Sequence, residues 1–237
     1  YVQSIVSGEV NEYLNRYRGN TTVPVDLALR SRFNQSLDKG WFGAINNVIS
    51  SITMLAIVLT GAALIREREH GTIEHLLVMP VTPTEIMVSK IWSMGLVVLL
   101  ASTVSLVFVV QGLLKVPIEG SLMLFLAGTV LQLFATTSLG IFLATVAGSM
   151  PQFGLLLMLT LLPLRVLSGG VTPRESMPQI IQDVMLVAPD THFVMLAQAI
   201  LFRGAGLDVV WPQFLALLVL GVALFFFSLR RFRAFLR

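Results

Sequence analysis

Charged side chains that could bind another protein are concentrated in the segment 66–80, which reads Arg-Glu-Arg-Glu-His-Gly-Thr-Ile-Glu-His-Leu-Leu-Val-Met-Pro. Read as one helix at about 100° per residue, this segment places Glu67 and Glu74 two turns apart on one side, and Ile73 and Leu77 on another. Carboxylates in this arrangement suit the paired hydrogen bonds that arginines of a second protein donate. The alternative is a helix at the membrane surface whose charges are only solvated.

Histidine and cysteine do not form a metal-binding pattern in this sequence. Cysteine is absent, which excludes disulfides and thiolate ligands. His70 and His75 are five residues apart, whereas four would place two ligands on one helical face, and His192 lies far along the chain. We predict no metal site. The sequence also lacks a Gly-x-x-x-x-Gly-Lys-Ser/Thr phosphate loop, so we predict that this chain is not an enzyme and does not hydrolyse ATP.

The composition is that of a membrane protein. Of the 237 residues, 55% are hydrophobic and 12% are charged, and the mean hydropathy is +0.83, whereas soluble domains carry about 25% charged residues. The apolar residues run in stretches long enough to cross roughly 30 Å of hydrocarbon. We predict an all-α polytopic membrane protein with five visible transmembrane helices, over residues 45–65, 91–113, 121–147, 153–167 and 211–229.

Arginines at the end of the chain set the predicted orientation. Four of the last eight residues are arginine, and basic residues beside a span favour the cytoplasmic side over a nucleic-acid site. Counting back from a cytoplasmic C-terminus places loops 66–90 and 148–152 inside, and loops 114–120 and 168–210 outside. The predicted location is therefore a multi-pass position in a bacterial inner membrane.

The N-terminal part is predicted to belong to a separate domain. With five spans and a cytoplasmic C-terminus, residues 1–44 form the end of an extracytoplasmic domain, and residues 45–237 form the transmembrane domain. The chain begins at Tyr1 with neither an initiator methionine nor a signal peptide. We therefore expect an N-terminally truncated chain, with one further span upstream and six in total.

Ionisable residues are rare within the predicted spans, which contain no Asp, Glu, Lys or His. A carrier driven by an ion gradient normally needs such groups inside the bilayer. Arg165 lies near the outer end of the fourth stretch. Its side chain either extends to the water interface or lines a substrate path.

The segment from Glu67 to Pro80 fits the pattern Glu-Arg-Glu-x-Gly-Thr-x-Glu-x-Leu-Leu-x-x-Pro at every position. This pattern resembles the cytoplasmic loop between the second and third spans of type-2 ABC exporter permeases, where the loop forms a coupling helix that docks into the ATPase subunit. The resemblance implies a coupling helix over residues 66–80. The residues implied to face the ATPase are Glu67, Glu69, Gly71, Thr72 and Glu74.

The loop 168–210 resembles the pair of short external helices before the last span in the same family. The matching pieces are Leu167-Ser168-Gly169-Gly170-Val171-Thr172-Pro173, Met177-Pro178, Ala188-Pro189-Asp190-Thr191-His192-Phe193 and Arg203-Gly204. In the family these helices dip toward the membrane and close the outer end of the translocation path. The gate region implied for this chain comprises Gly169, Gly170, Pro173, Pro178 and Pro189. Many relatives have Arg where this chain has Gln198.

Local signals predict where several helices begin and end. Thr82-Pro83-Thr84-Glu85 predicts a capping box with proline at the first helical position, from which a helix runs into the second span. Thr172-Pro173-Arg174-Glu175 predicts the same device before an external helix. Gly204 predicts the end of the last external helix.

The resemblance implies a function as the permease subunit of an ATP-driven exporter of the multidrug-export-like branch. The implied partners are ABC ATPase subunits, a second permease subunit, a periplasmic adaptor protein and membrane lipid, with no nucleic acid. No cofactor is expected in this chain, since ATP and Mg²⁺ would bind the ATPase. The alternatives are a membrane anchor or scaffold that transports nothing, and a channel or carrier that works without ATP.

The orientation can be tested by single-cysteine labelling, because the chain has no cysteine of its own. Cysteines at positions 72 and 235 should react with a membrane-impermeant maleimide only from the cytoplasmic side, and cysteines at positions 20 and 175 only from outside. Labelling of position 72 from outside would contradict both the orientation and the coupling assignment.

Overall fold

We analysed a computed structural model of the chain, which describes Glu9, Glu12, Tyr13 and the ranges 39–71, 80–116 and 118–235. The chain divides into a unit Tyr1–Leu37 and a unit Asp38–Arg237. The predicted extracytoplasmic segment 1–44 lies mostly outside the described residues, and its last six residues belong to the first helix of the second unit. The following description concerns that second unit.

The described part of the second unit is built from helices, without strands. Five are long and apolar enough to cross a membrane, which confirms the five predicted spans. In chain order the α-helices are α1 Lys39–Glu69, α2 Pro83–Val104, α3 Leu122–Val146, α4 Met150–Leu167, the short α5 Gln179–Met185, α6 Pro189–Arg203 and α7 Leu207–Phe235. Helix α2 continues as a π-helix over Ser105–Leu113.

The predicted capping box at the start of α2 is present. The Thr82 backbone N–H donates to Glu85 Oε2 at 2.7 Å, and the Glu85 backbone N–H donates to Thr82 Oγ1 at 3.3 Å. Pro83 occupies the first helical position, where it lacks only an N–H that would have no intrahelical acceptor. The helix therefore begins eight residues before the apolar stretch 91–113 that was predicted from hydropathy.

Helix α3 lies at the centre of the bundle and packs against α1, α2, α6 and α7. Its buried face consists largely of small and hydroxyl-bearing residues. The hydroxyls of Thr129, Thr136 and Ser138 each donate to the carbonyl four residues earlier, at 2.7–2.9 Å. Because these hydroxyls are satisfied within the helix, α3 can present them to neighbouring helices in an apolar environment.

Two glycines permit close contacts among α1, α3 and α4. A Cβ atom on Gly140 of α3 would lie 2.8 Å from the Ile57 carbonyl oxygen of α1. A Cβ atom on Gly61 of α1 would lie 2.2 Å from the ring of Phe153 of α4. Small residues at such crossings allow membrane helices to approach backbone to backbone.

Helices α5 and α6 form the predicted pair of short helices before the last span, with an angle of 95° between them. Most of α6 is buried, and Phe193, Leu196 and Ile200 belong to the same apolar core as residues of α1, α2 and α3. Helix α6 is therefore packed into the membrane bundle. Gly204 ends it in the left-handed conformation at φ 63°, as predicted.

The capping box predicted at Thr172-Pro173-Arg174-Glu175 is wrong. The chain forms a single 3₁₀ turn over Arg174–Ser176, and no side-chain cap is present. The Ser176 hydroxyl instead donates to the Pro173 carbonyl at 2.7 Å. Pro178 explains the early stop, because the residue before a proline avoids the helical region, and Met177 is extended at φ −90°, ψ 150°.

The close contact of α1 with α3 can be tested by replacing Gly140 with alanine. The added methyl group would force the two backbones apart, at a cost of about 1–3 kcal/mol. This exceeds the gain of about 0.5–1 kcal/mol that Gly→Ala gives in a helix interior. The thermal unfolding midpoint of the detergent-solubilised protein should fall. Gly154→Ala in α4 is the matched control, because nothing lies within 4 Å of its Cβ position, and equal midpoints for both variants would contradict the packing.

Candidate functional site

Three consecutive charged residues at the end of α1 contact the third turn of α2, the end of α3 and the start of α4. Glu67 forms an ion pair with Lys90 in the first part of α2. The pair is partly buried, with side-chain exposures of 33% for Glu67 and 12% for Lys90. Partial burial strengthens such a pair relative to a surface pair, because water screens it less.

The next two residues contact the loop between α3 and α4. Arg68 Nη1 donates to the Ala147 carbonyl oxygen at 3.2 Å, and Ala147 is the residue after the last turn of α3. Glu69 Oε1 accepts a hydrogen bond from the Met150 backbone N–H at 3.0 Å. Met150 is the first residue of α4, whose preceding Ser149 provides no side-chain cap. The Glu69 carboxylate therefore caps the positive end of the α4 dipole.

Helix α1 ends immediately after these residues. The His70 backbone N–H donates to the Arg66 carbonyl at 3.0 Å, the Gly71 N–H donates to the Arg68 carbonyl at 3.1 Å, and Gly71 turns the chain at φ 71°. A residue with a side chain would be strained there. The continuous helix predicted over residues 66–80 is therefore wrong, since residues 66–69 are the last turn of the first span.

This break separates the residues implied to bind an ATPase into two groups. Glu67 and Glu69 contact other parts of their own chain, and Gly71 forms the turn. Thr72 and Glu74 lie outside the described residues. The predicted two-turn stacking of Glu67 on Glu74 required an uninterrupted helix, which the turn at Gly71 excludes.

The helix ends that contact one another lie on one side of the bundle. Besides the contacts of Glu67, Arg68 and Glu69, Arg233 near the end of α7 approaches the Thr84 hydroxyl at 3.5 Å. The described residues of the predicted loops 66–90 and 148–152 therefore share a side with Arg233 of the basic tail, as the alternation of spans requires. The assignment of that side to the cytoplasm stays a prediction.

A second polar cluster lies between the middle parts of α1 and α3, around Asp190 in the first turn of α6. Asp190 is 3% exposed. Its Oδ1 accepts a hydrogen bond from the Thr53 hydroxyl of α1 at 2.5 Å and one from Gln132 Nε2 of α3 at 3.3 Å. Gln132 Nε2 also donates to Thr53 Oγ1 at 2.9 Å. The cluster therefore connects α1, α3 and α6 through buried side chains.

A cavity of about 190 Å³ adjoins this cluster between α1 and α4. Thr53 and Asp190 contribute its polar lining. Arg165 lines it too, and this side chain is exposed. The remaining lining is mostly apolar and comes from Met54, Leu157, Met158, Leu161, Leu162 and Leu164, with Ser50.

The residues of the implied gate region are not all brought together. Gly169 turns at φ 99°, and its carbonyl accepts a hydrogen bond from Gln198 Nε2 at 3.4 Å. Gly170 and Pro189 are buried, whereas Pro173 and Pro178 are exposed at the starts of the 3₁₀ turn and of α5.

Gln198 contacts two other segments. Besides the Gly169 carbonyl, its Nε2 donates to Asn46 Oδ1 at 3.2 Å. Gln198 therefore connects α6 to the start of α1 and to the turn that follows α4.

Sequence reasoning missed the residues that matter most in both clusters. Lys90, Arg68 and Met150 act through contacts between distant segments, which spacing along the chain does not reveal. Gln132 offered a usable signal, because a carboxamide in the middle of an apolar span needs a partner. Asp190 follows Pro189 at a helix start and therefore resembles an ordinary acidic residue that complements a helix dipole.

Comparisons with known proteins identify relatives over most of the chain. The profile of the ABC-2 type transporter family matches residues 20–202. The chain is 64% identical over 233 residues to the inner membrane transport permease YhhJ of Escherichia coli (strain K12), which covers 98% of this chain and 62% of that protein. It is 29% identical over 222 residues to the probable multidrug ABC transporter permease YbhR of the same strain, with 93% and 59% covered.

A third relative, the probable multidrug ABC transporter permease YbhS of Escherichia coli (strain K12), is 29% identical over 214 residues. That alignment covers 87% of this chain and 55% of the relative. The chain therefore spans less than two thirds of the length of these relatives.

The ion pair of Glu67 with Lys90 predicts the effect of charge reversal. Glu67→Lys would place two lysines together in a partly buried site. We expect a destabilisation of about 1–3 kcal/mol, between the values for exposed and buried pairs. Exchanging both residues, Glu67→Lys with Lys90→Glu, should restore most of the lost thermal stability in detergent. An exchange variant no more stable than the single variant would show that the pair does not stabilise the bundle.

Proposed function

The chain belongs to the ABC-2 type transporter family, and we propose that it forms the membrane-spanning permease part of an ATP-driven exporter. The observation that carries this proposal is the set of contacts that Glu67, Arg68 and Glu69 make with α2, α3 and α4. We propose that a separate ATPase subunit supplies the energy, as the resemblance of residues 67–80 to the coupling loop of type-2 ABC exporter permeases implies.

The contacts at the end of α1 suit a segment that transmits movement from an ATPase to the membrane helices. Residues 72–79 join α1 to α2, and the residues on both sides of this connection are held by the ion pair of Glu67 with Lys90. A movement of the connection would therefore act on α1 and α2 together. It would also reach α3 and α4, through Arg68 at Ala147 and Glu69 at Met150.

Within the motif, Thr72 and Glu74 are the residues we assign to the ATPase surface. Glu67 and Glu69 already have partners in their own chain, so their role is to transmit movement. A scaffold without transport, or a channel that works without ATP, has no use for a connection whose flanking residues contact four helices. These contacts therefore favour the exporter over both alternatives.

The relatives support the location and the class of cargo. YhhJ is named an inner membrane transport permease, and we place this chain in the bacterial inner membrane with its C-terminus in the cytoplasm. YbhR and YbhS are named probable multidrug permeases. We propose that this chain exports drugs or other amphipathic compounds, in company with an extracytoplasmic adaptor protein.

A second permease subunit is the proposed neighbour of α4. Only Phe153 of its 18 residues is buried within the chain, so the apolar sides of α4 face lipid or another subunit. A path enclosed by two such subunits would use this helix, together with α1, on its inner surface.

The coupling assignment can be tested with Glu74→Lys in the tagged full-length permease. A desolvated charge pair at an interface is worth about 2–5 kcal/mol when one partner is changed. We expect vanadate-sensitive ATP hydrolysis in the affinity-purified complex to fall by about tenfold or more. Permease yield and monodispersity should not change.

Two variants control this experiment. Arg66→Ala removes an exposed charge from the same segment, and the Glu67→Lys, Lys90→Glu exchange preserves the internal pair. Both should retain ATP hydrolysis near the wild-type level. If Glu74→Lys retains it as well, Glu74 does not contact the ATPase and the coupling proposal fails.

A further inference from the structure

The carboxyl group of Asp190 is placed where a charge is costly. It is 3% exposed and surrounded by membrane helices. Moving a carboxylate into an apolar environment costs several kcal/mol unless hydrogen bonds and an opposite charge compensate. A buried acid at membrane depth therefore needs a reason beyond packing.

The groups around Asp190 compensate the charge only in part. Thr53 and Gln132 donate hydrogen bonds to Oδ1, and the Ser168 hydroxyl is a further polar neighbour. No basic side chain forms an ion pair with Asp190 in the part of the chain that the structure describes. Gln132 Oε1 in the same cluster is also buried without a donor. Arg165 lines the adjoining cavity but forms no ion pair with Asp190 among the described residues.

The cavity beside Asp190 has the size and the lining to hold a positively charged group of a ligand. Asp190 is the acidic residue among its lining residues, and the walls from α1 and α4 are largely apolar. Its volume of about 190 Å³ is below the roughly 300–1,000 Å³ of sites that enclose a whole drug-sized ligand. The cavity is therefore large enough for the charged end of an amphipathic molecule only.

The exposed surface of α4 continues this site outward. Leu155, Met158, Leu159 and Leu162 are each more than 60% exposed, and Met158 and Leu162 also line the cavity. An apolar chain attached to a charged group in the cavity would lie along these side chains. The two surfaces together match a molecule with one cationic end and one apolar part.

We propose that this cavity binds the positively charged group of an amphipathic organic cation, with Asp190 as its counter-ion. The inference rests on the proposed export function and specifies its cargo class. Thr53 and Gln132 act as positioning residues, because their hydrogen bonds fix the carboxyl group at the cavity wall.

Arg165 is expected to weaken the binding of a cation in this cavity. It lines the same cavity, and its like charge opposes a cation there. Because its side chain is exposed and near the end of α4, it can extend toward the water interface. Replacing Arg165 should therefore strengthen cation binding.

A larger cavity between α1 and α2 does not share these properties. Its volume is about 360 Å³, and its lining consists of apolar residues with Asn47, Ser51, Ser102 and Ser105. It contains no charged residue to select a cation. This comparison limits the proposal to the cavity at Asp190.

The test is equilibrium binding of radiolabelled dodecyltrimethylammonium to the full-length permease in phosphatidylcholine nanodiscs, with binding to empty nanodiscs subtracted. Asp190→Asn keeps the size of the side chain and removes its charge, and it should weaken binding by about tenfold or more. The neutral analogue with carbon in place of nitrogen should bind weakly to both proteins. Asp190→Glu should retain part of the wild-type affinity.

Matched variants decide the outcome. Asp208→Asn removes an exposed acid at the start of α7 and should change the affinity by less than about twofold. Wild-type affinity in Asp190→Asn would overturn the proposal. If Asp190→Asn does not fold, Arg165→Leu replaces it as the test, since tighter binding by about threefold supports the site and unchanged or weaker binding contradicts it.

The binding measurement needs no ATP, so it is independent of the coupling proposal. Asp190-dependent binding without ATP-driven efflux of the cation would leave the site intact and contradict the export function. Efflux that does not depend on Asp190 would leave the export function intact and contradict this site.

Discussion

The last turn of α1 provides the polar contacts that fix one end of the helical bundle. Apolar surfaces alone do not orient helices strongly in a membrane, because lipid tails are as apolar as the helix faces they replace. Specific hydrogen bonds and ion pairs therefore carry more of the information about arrangement. Here Glu67, Arg68 and Glu69 contact Lys90, the Ala147 carbonyl and the Met150 N–H, so three adjacent residues set the positions of α2, α3 and α4 relative to α1.

Helix α1 also connects this end of the bundle to the cluster around Asp190. Thr53 and Glu67 are 14 positions apart on the same helix, which corresponds to roughly 21 Å at about 1.5 Å per residue. Helix α1 is held by polar contacts at both positions, and between them Ile57 packs closely on Gly140 of α3. A rotation or shift of α1 that begins at Glu67 would therefore alter the hydrogen bond from Thr53 to Asp190.

The sequence predicted features that depend on local chemistry. Hydropathy located the five spans, the Thr82 to Glu85 capping box located the start of α2, and Gly204 located the end of α6. The continuous helix from 66 to 80 was wrong because periodicity does not show a turn at Gly71. The capping box at 172–175 was wrong because Pro178 keeps Met177 extended, so the turn at Arg174–Ser176 does not grow into a helix and α5 begins only at Gln179. Contacts such as Glu69 with Met150 join residues 81 positions apart, and no local pattern encodes them.

The turn at Gly71 ends α1 within the motif and bears on which of its residues could face an ATPase. If Glu67 and Glu69 bound an ATPase directly, each docking event would have to break a partly buried ion pair and remove the cap from α4, at the cost of leaving Lys90 and the Met150 N–H without partners. An arrangement in which these carboxylates stay bound to their own chain avoids that cost. Under the proposed function, the ATPase surface begins beyond the turn, at Thr72 and Glu74. Under the proposed coupling role, Glu67, Arg68 and Glu69 would pass movement of residues 72–79 to α1, α2, α3 and α4 while their own contacts stay intact.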